Sequence, residues 1–437
     1  MPSTRSRIPA AAALVFVSVS CVSYPDRTAA ALGDFQRGHF ASALSAYEDP
    51  KTTNSPFLAG AEAGTVALAA GEWDGAIRNL SKAVAAVDRM EHSAAISPES
   101  LGEELLSWSL SEGVKPYYGE GYERVLVHMG LALAYLAKGD LEGARVEVRQ
   151  ANALLETEEK LYEKEYKAGG LGHLVSAVAY ELDGKPDEAW IDYQRMRAKG
   201  VGGEPAARAL ARLAKEMHRE DELDEECAKL QSESPDDSAC VVVIAAIGLG
   251  PYKQEAMFFI PTPDGLLKWS VPKYADRPQP VEGLELSVAG GDKSVRTVVV
   301  EDVDRVAKEN LDDRLAWLAA KSTVRTFLKR ELTQQLEEQA GLFGRLVGDL
   351  FTFVTEQADL RCWSTLPANW QAARVFLPPG AHDLRLRAVG GAEQPLGCFE
   401  LERGETMFVF ARTIDQKLYA YPVGGKRTTT PDNRTAP

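Results

Sequence analysis

The side chains with the clearest potential for chemistry lie in one tyrosine-rich segment. Residues 117–124 read Tyr-Tyr-Gly-Glu-Gly-Tyr-Glu-Arg, which places Glu120 and Glu123 three positions apart. Two carboxyl groups held about 5–10 Å apart can hydrolyse a glycosidic bond, one as the acid and the other as the base or nucleophile. A glycan-acting enzyme is therefore one hypothesis, and it requires a deep cleft and a carboxyl group with a raised pKa.

The same segment also suits the docking of a protein partner. Tyrosine rings are common anchors of interfaces because they are large and amphipathic. Two arginines on the next predicted helix are four residues apart, so they share one face of that helix. The candidate partner-binding side chains are Tyr117, Tyr118, Tyr122, Glu123, Arg124, Arg145 and Arg149. The alternative is a solvated helix with an ordered loop beside it.

Other signatures of catalysis or of metal binding are not found in the sequence. It contains no Walker A motif, no GxSxG and no HExxH. The six histidines are scattered without the paired spacing of metal ligands. We therefore expect no catalytic residue, no metal and no cofactor, and we predict that the protein is not an enzyme.

Two further groups of residues have a structural interpretation. Asp359, Arg361 and Trp363 form a dense cluster in which a buried ion pair or a buried indole would act as a structural latch. The cysteines of the body have no CxxC spacing, which argues against a zinc or redox site. If the protein is exported they can pair in three ways, and the alternative is free buried thiols. These possible disulfide partners are Cys227, Cys240, Cys362 and Cys398, and the pairings nearest in sequence are 227 with 240 and 362 with 398.

The first 21 residues predict export and lipidation. A basic start and an apolar run too short to span a membrane end at the small Ser20, directly before Cys21. This resembles a bacterial lipobox, which implies a signal peptide at 1–20, a diacylated Cys21 and a lipidated N-terminus at 21–26. Because Val22 is not Asp, the resemblance to lipoproteins of bacteria with two membranes implies the periplasmic face of the outer membrane. The alternative is ordinary cleavage and a soluble periplasmic protein.

The charge of the chain excludes some partners. The sequence has 49 Lys and Arg against 64 Asp and Glu, a net charge of −15. Proteins that bind nucleic acid neutralise phosphates with clustered Lys and Arg, so nucleic acid is not an expected partner. The expected partners are envelope proteins, together with the membrane through the N-terminal lipid.

A repeat in the first half defines the elements that position these side chains. Four segments begin with Gly and have Ala five positions later, and their glycines lie 33, 68 and 45 residues apart. Such a glycine ends the first helix of a pair in a left-handed turn, and the small Ala lets the second helix approach. This pattern resembles the tetratricopeptide (TPR) family. Residues 27–232 are therefore predicted to form a TPR-like α-solenoid, which implies a concave docking groove. The alternative is that these helices merely pack against the second half.

The second half changes to a strand pattern. An acidic linker at 233–240 precedes the short β-branched run Val241–Ile247, which has the composition of a buried strand. We predict an α+β domain at 241–424 with a helical insertion at 302–357, followed by a disordered tail at 425–437. The fold class is thus α+β multidomain, with an N-terminal TPR-like α-solenoid and a mainly antiparallel, sandwich-like β domain with a helical insertion. The other predicted strands lie at 256–260, 266–271, 284–288, 295–300, 373–377, 384–389 and 407–411.

The order of these parts resembles that of TPR-containing lipoproteins of Gram-negative bacterial envelopes. The most specific part of the resemblance lies in Tyr117–Glu147 and Asp359–Gly380. No activity can be carried over from this family, but the resemblance implies a position near envelope-assembly lipoproteins, including activators of peptidoglycan synthases. The sequence predicts a non-catalytic docking scaffold or adaptor that faces the periplasm. The alternatives are an envelope glycan-acting or glycan-binding protein, or an accessory factor of peptidoglycan synthesis or outer-membrane assembly.

Overall fold

The computed structural model describes residues 23–93, 116–231, 237–262, 265–291, 293–321 and 358–428. The predicted signal peptide and Cys21, most of the helical insertion and most of the predicted tail lie outside these residues. Among the described residues, no helix is both long enough and apolar enough to cross a membrane.

The described residues of the first half of the chain are mainly helical. Four pairs of its helices are joined by turns of two or three residues, so the two members of each pair pack side by side. A 3₁₀ turn, Glu220–Glu222, precedes the short helix at 225–230. The helices are α1 (Tyr24–Arg37), α2 (Phe40–Glu48), α3 (Pro50–Thr53), α4 (Pro56–Ala70), α5 (Trp73–Ser93), α6 (Gly121–Ala137), α7 (Leu141–Tyr162), α8 (Gly170–Leu182), α9 (Pro186–Ala198), α10 (Gly203–Met217) and α11 (Glu225–Leu230).

Each of the four pairs turns at the glycine that the repeat predicted. The φ angles are 81°, 74°, 77° and 66° at Gly38, Gly71, Gly139 and Gly184, respectively. This is the left-handed region, which glycine adopts without a Cβ clash. The alanines five positions later are fully buried between the helices, and they are Ala43, Ala76, Ala144 and Ala189. The repeat prediction is confirmed, and the first half is a series of TPR-like helix pairs.

The second half contains twelve described strands and one described helix. The sequence predictions for most of these strands are confirmed to within a few residues. The elements are β1 (Ala239–Ile247), β2 (Tyr252–Thr262), β3 (Gly265–Ala275), β4 (Leu284–Val288), β5 (Ser294–Arg296), β6 (Val298–Asp302), α12 (Val303–Lys321), β7 (Asn369–Leu377), β8 (Gly380–Ala388), β9 (Glu393–Leu401), β10 (Thr406–Ile414), β11 (Lys417–Val423) and β12 (Lys426–Thr428).

These strands form two five-stranded sheets and one two-stranded ribbon. The first sheet has the order β11-β10-β1-β7-β6, the second has the order β12-β9-β8-β4-β5, and β2 pairs with β3 in the ribbon. Among the described strands, every pairing is antiparallel except that of β1 with β10, which is parallel. The second half is therefore mainly antiparallel, as predicted, with one parallel pair at the centre of the first sheet.

Strand β1 is buried on both faces. Val241 and Val243 pack with Leu384 of the second sheet in one core. Val242 and Ile244 point the opposite way, into the core that the first sheet shares with the helices. Burial on both faces explains why this strand is a continuous apolar run and does not alternate with polar residues. The order of layers is helices, first sheet, second sheet.

Some details of the second half differ from the sequence prediction. The predicted disordered tail begins too early, because Lys426–Thr428 form a strand on β9. Ala239 and Cys240 belong to β1 and not to the acidic linker, and the run at 295–300 is divided into β5 and β6. Strands β9 and β11 were not predicted.

Candidate functional site

The tyrosine-rich segment lies at the start of α6 and is buried between the two halves of the chain. Tyr117, Tyr122 and Glu123 are 2%, 7% and 0% exposed. The Tyr117 hydroxyl donates to Glu123 Oε2 (2.6 Å), and the Trp363 backbone N–H donates to Oε1 of the same carboxylate (2.7 Å). The hydroxyls of Tyr122 and Tyr274 are 2.8 Å apart. These three side chains are therefore not exposed groove anchors, because all three are buried and Tyr122 and Glu123 contact the second half of the same chain.

Glu120 lies in a buried ionic cluster beside them. Its carboxylate oxygens accept hydrogen bonds from Lys253 on β2 and from Arg314 on α12, and both cations are also buried. Burial opposes ionisation of Glu120, but the charges of Arg314 and Lys253 outweigh it and lower the pKa to about 2. For Glu123, burial and the neighbouring Glu120 charge raise the pKa to about 7.

The arrangement of these carboxylates does not support glycan chemistry. Divergent pKa values are what an acid–base pair requires, and Glu120 and Glu123 have them. Both carboxylates are nevertheless buried, and their oxygens already accept hydrogen bonds from groups of the protein. A glycan has no access to either group in this arrangement. The pair instead connects α6 to β2 and α12.

The predicted latch residues lie in the same interface. Asp359 and Arg361 form a buried bidentate pair, with Nε to Oδ1 at 2.9 Å and Nη2 to Oδ2 at 2.7 Å. The Arg361 guanidinium lies 5.1 Å from the centre of the Tyr117 ring. The Trp363 indole N–H donates to Thr65 Oγ1 on α4 (3.0 Å). This loop thus contacts both α4 and the tyrosine-rich segment.

Glu62 is a buried carboxylate that the sequence interpretation missed. It sits on α4 and is fully buried. It accepts hydrogen bonds from the Tyr24 hydroxyl (2.6 Å) and from the backbone N–H groups of Ser364 (2.7 Å) and Thr365 (3.0 Å). Burial raises its pKa, and these donors oppose the rise. The sequence feature that could have identified it is a single Glu in an otherwise apolar helical segment, Ala61-Glu62-Ala63.

A second buried ion cluster connects the later helices to the first sheet. Arg374 on β7 and Arg212 on α10 both donate to Glu181, with Nη2 to Oε1 and Nη2 to Oε2 each at 2.6 Å. The Tyr193 hydroxyl donates to the same carboxylate. Burial opposes ionisation, but the charges of the two arginines lower the pKa of Glu181 to about 2. Breaking one partner of such a cluster leaves an uncompensated buried charge, which is strongly destabilising.

The helical half also carries a surface groove between α5, α6 and α7. It encloses about 380 Å³. Its apolar walls are formed by Phe57, Val84, Val87, Val127, Val146 and Leu154. Its polar lining consists of Asp88, Arg124, His128, Glu147 and Gln150. Of the seven predicted partner-binding side chains, Arg124 lines this groove.

Two polar pairs sit at the groove. Arg124 Nη2 donates to Glu158 Oε1 at 2.9 Å. His128 Nδ1 and Glu147 Oε2 are 2.7 Å apart. The apolar walls were not predicted from the sequence. Val84 and Val87 are three residues apart and share one helix face, and this spacing could have indicated them.

The remaining predicted side chains lie elsewhere. Arg145 Nη1 donates to Asp183 Oδ2 (3.0 Å), and its guanidinium lies 5.0 Å from the centre of the Tyr180 ring. Arg145 therefore faces α8. Arg149 is exposed and Tyr118 is half-buried, and neither lines the groove.

The cysteines of the described residues are all free and buried in this structure. Burial raises the pKa of Cys362 to about 11. Among the described residues, no group of His, Cys, Asp and Glu side chains could hold a metal ion. The four thiols are Cys227, Cys240, Cys362 and Cys398.

The helix pairs and the groove define a TPR-like helical-repeat protein with a β-rich second half. No protein-family model and no curated protein matches the chain. Among solved structures, the MamA protein is 15% identical over 48% of this chain and 88% of that chain, with a TM-score of 0.33.

Two other solved structures are similar at the same level. A kinesin light chain-like protein of Podosopora anserina with nearly identical TPR-like repeats is 18% identical over 47% of this chain and 93% of that chain, with a TM-score of 0.31. TTC0263, a thermophilic TPR protein of Thermus thermophilus, is 20% identical over 49% of this chain and 93% of that chain, with a TM-score of 0.27. Because these scores are low, the assignment rests on the helix pairs and their glycine turns.

Proposed function

We propose that the protein is a non-catalytic docking scaffold that binds a segment of a partner protein in the groove between α5, α6 and α7. The observation that carries this proposal is the groove, which has apolar walls, a polar lining and a volume of about 380 Å³. This volume lies within the range of typical binding pockets, about 300–1,000 Å³. An amphipathic segment would insert its apolar side chains between the valines.

The charges of the groove favour a cationic segment. Among the described residues, the groove lining holds the carboxylates of Asp88 and Glu147 and one guanidinium, that of Arg124. Arg124 is paired with Glu158, and Glu147 lies 2.7 Å from His128. Carboxylates therefore outnumber arginines around the opening. Complementary charge directs encounter and suppresses wrong partners. The partner segment that fits combines apolar side chains with Lys or Arg.

We also propose where in the cell the protein lies. The basic start, the apolar run and Cys21 after Ser20 support a lipid anchor at the periplasmic face of the outer membrane. Partners in that compartment are envelope proteins, among them factors of peptidoglycan synthesis or of outer-membrane assembly.

Site-specific photocrosslinking tests the docking. Val146 lines the groove and is 37% exposed, whereas Ile191, 47% exposed on α9, is a matched control outside it. With a photoreactive residue at Val146, we expect capture of one envelope protein in cells, through a peptide that carries apolar and basic residues. The same residue at Ile191 should not capture it. Capture from both positions, or only crosslinks within the chain itself, would contradict the proposal.

A charge reversal in the groove tests the expected chemistry of the partner. Glu147→Lys should weaken binding of the captured peptide by about tenfold, because it replaces an attractive charge by a repulsive one. Glu142→Lys, an exposed position on the same helix that does not line the groove, is the control and should bind normally. Titration of the purified proteins with the labelled peptide gives both affinities. Equal weakening in the two variants would show that only the net charge of the chain matters.

A further inference from the structure

A small internal cavity lies between the helices and the first sheet. It has a volume of about 20 Å³, and a cavity needs roughly 10–15 Å³ to hold one water-sized particle. Leu68 on α4, Leu126 on α6 and Phe410 on β10 are among its apolar walls. The polar side chains in the lining include Trp370 and Arg412. The cavity has room for one water molecule or one monatomic ion.

Arg412 is a buried cation without a carboxylate partner among the described residues. It is 1% exposed, and its Nη2 donates to the Thr365 carbonyl oxygen (3.0 Å). Its Nε and Nη1 have no acceptor within the described part of the chain. The equally buried Arg374, by contrast, is paired with Glu181 at 2.6 Å.

The charge of Arg412 persists at neutral pH. Burial lowers its pKa to about 9, which leaves it protonated at pH 7. The guanidinium lies 5.7 Å from the centre of the Phe35 ring, but burying a charge is costly unless the charge is paired and hydrogen-bonded. A water molecule can accept a hydrogen bond from Arg412, but it does not cancel the charge.

Trp370, another residue of the cavity lining, carries a third unsatisfied donor. The Trp370 indole N–H has no acceptor among the described residues. Three N–H donors and an otherwise largely apolar wall suit an anion, because a guanidinium and an indole donate hydrogen bonds and accept none. We propose that this cavity binds a small monovalent anion of the size of chloride, which pairs with Arg412 and joins the helical half to the first sheet.

The test is thermal unfolding of the full chain in sodium chloride and in sodium gluconate at the same ionic strength. Gluconate is too large for the cavity. We expect Tm to rise with chloride concentration and not with gluconate, because a ligand that binds only the folded state stabilises it by mass action. Arg412→Met should abolish the difference between the two salts. Arg403→Met, which removes an arginine whose side chain is 71% exposed, is the matched control and should preserve it.

Two further measurements keep the test decisive if Arg412→Met does not fold. Trp370→Phe retains an aromatic ring and removes one donor, so a higher chloride concentration should be needed for the same rise in Tm. A crystal soaked in sodium bromide should show one anomalous peak within hydrogen-bond distance of Arg412. Equal Tm values in chloride and gluconate would overturn the proposal and assign the cavity to water. A chloride effect that persists in Arg412→Met, or is unchanged in Trp370→Phe, would also overturn it, because the anion would then lie elsewhere.

Discussion

The pKa values of the buried carboxyl groups differ according to whether a buried cation is paired with them. Glu120 is buried, but the charges of Arg314 and Lys253 hold its pKa at about 2. Glu301, at the end of β6, accepts a hydrogen bond from the Leu171 N–H (3.4 Å), yet burial raises its pKa to about 7. The backbone N–H groups around it and the Arg305 charge oppose this rise only in part. The raised pKa of Glu301 therefore predicts that the stability of the folded protein depends on pH.

Glu301 should make the folded state less stable as the pH rises. Its ordinary pKa is 4.5 and its folded pKa is about 7, so between these values the folded chain keeps a proton that the unfolded chain releases. The free energy of unfolding therefore falls through this window, by up to about 3 kcal/mol from this group. Glu301→Gln is neutral at every pH, and it should lose this part of the slope. Urea unfolding below and above the window measures it.

The control for that experiment is a carboxylate without burial. Glu156 has a side chain that is 69% exposed, so Glu156→Gln should keep the wild-type slope. A slope for Glu301→Gln equal to that of the wild type would mean that Glu301 is ionised in the folded protein.

At the scale of elements, the glycine turns of the helix pairs do more than reverse the chain. Gly71 and Gly139 occupy equivalent turns with φ angles of 74° and 77°. A Cβ at Gly71 would lie 2.5 Å from the Tyr421 ring on β11, whereas a Cβ at Gly139 would meet no atom within 4 Å. The α4–α5 turn therefore packs on the first sheet, and the α6–α7 turn has open space around it.

This difference predicts unequal effects of the same substitution. Gly139→Ala should cost about 1–2 kcal/mol, the strain of a left-handed residue with a Cβ. Gly71→Ala should cost about 1–3 kcal/mol more, because the methyl group must also displace the Tyr421 ring. Chemical denaturation of both variants measures the two costs. Equal costs would show that the Tyr421 ring can move away from this turn without a loss of stability.

The helix pairs could be predicted from the sequence because their signal is local. A glycine at each turn and an alanine five residues later recur four times in the sequence, and the structure has both. Strand β1 could be predicted because burial on both faces leaves an unbroken apolar run. Strand β9 could not, since Pro395 and Gly397 interrupt its pattern, and β11 ends in a Tyr-Pro-Val sequence of weak strand character.

The groove and the buried interface could not be distinguished from the sequence. Tyr117 and Tyr122 are of a residue type common in interface anchors, and they do anchor an interface, but one within the chain, through Arg361 and Tyr274. Which face of α6 meets the second half depends on Trp363 and Tyr274, which are more than 150 residues away along the chain. Spacing alone carries no information about such long-range contacts. For the same reason, the sequence pattern did not distinguish the valines that line the groove from the buried core residues of a helix.

At the scale of the whole molecule, the second half stabilises the start of α6, next to the residues of the same helix that line the groove. Helix α6 places Val127 and His128 in the groove, while Tyr122 and Glu123 at its start are buried against β3 and the loop before β7. The two buried ion clusters, around Glu120 and Glu181, join the same halves. The groove is thus built on a helix whose other contacts are fixed, and a pre-organised site loses less entropy when it binds.

The proposed lipid anchor lies only a short distance along the chain from the first helix. Two residues separate Cys21 from Tyr24, which begins α1, is fully buried and donates to Glu62. Because an extended residue spans at most about 3.6 Å, a lipid on Cys21 would hold α1 within about 11 Å of the membrane surface. Cys21→Ser should therefore move the protein from the membrane fraction to the soluble envelope fraction without changing its Tm. Cys398→Ser, which alters a buried thiol far along the chain, should leave it in the membrane fraction. Retention of Cys21→Ser in the membrane fraction would mean that a contact other than the lipid holds the protein there.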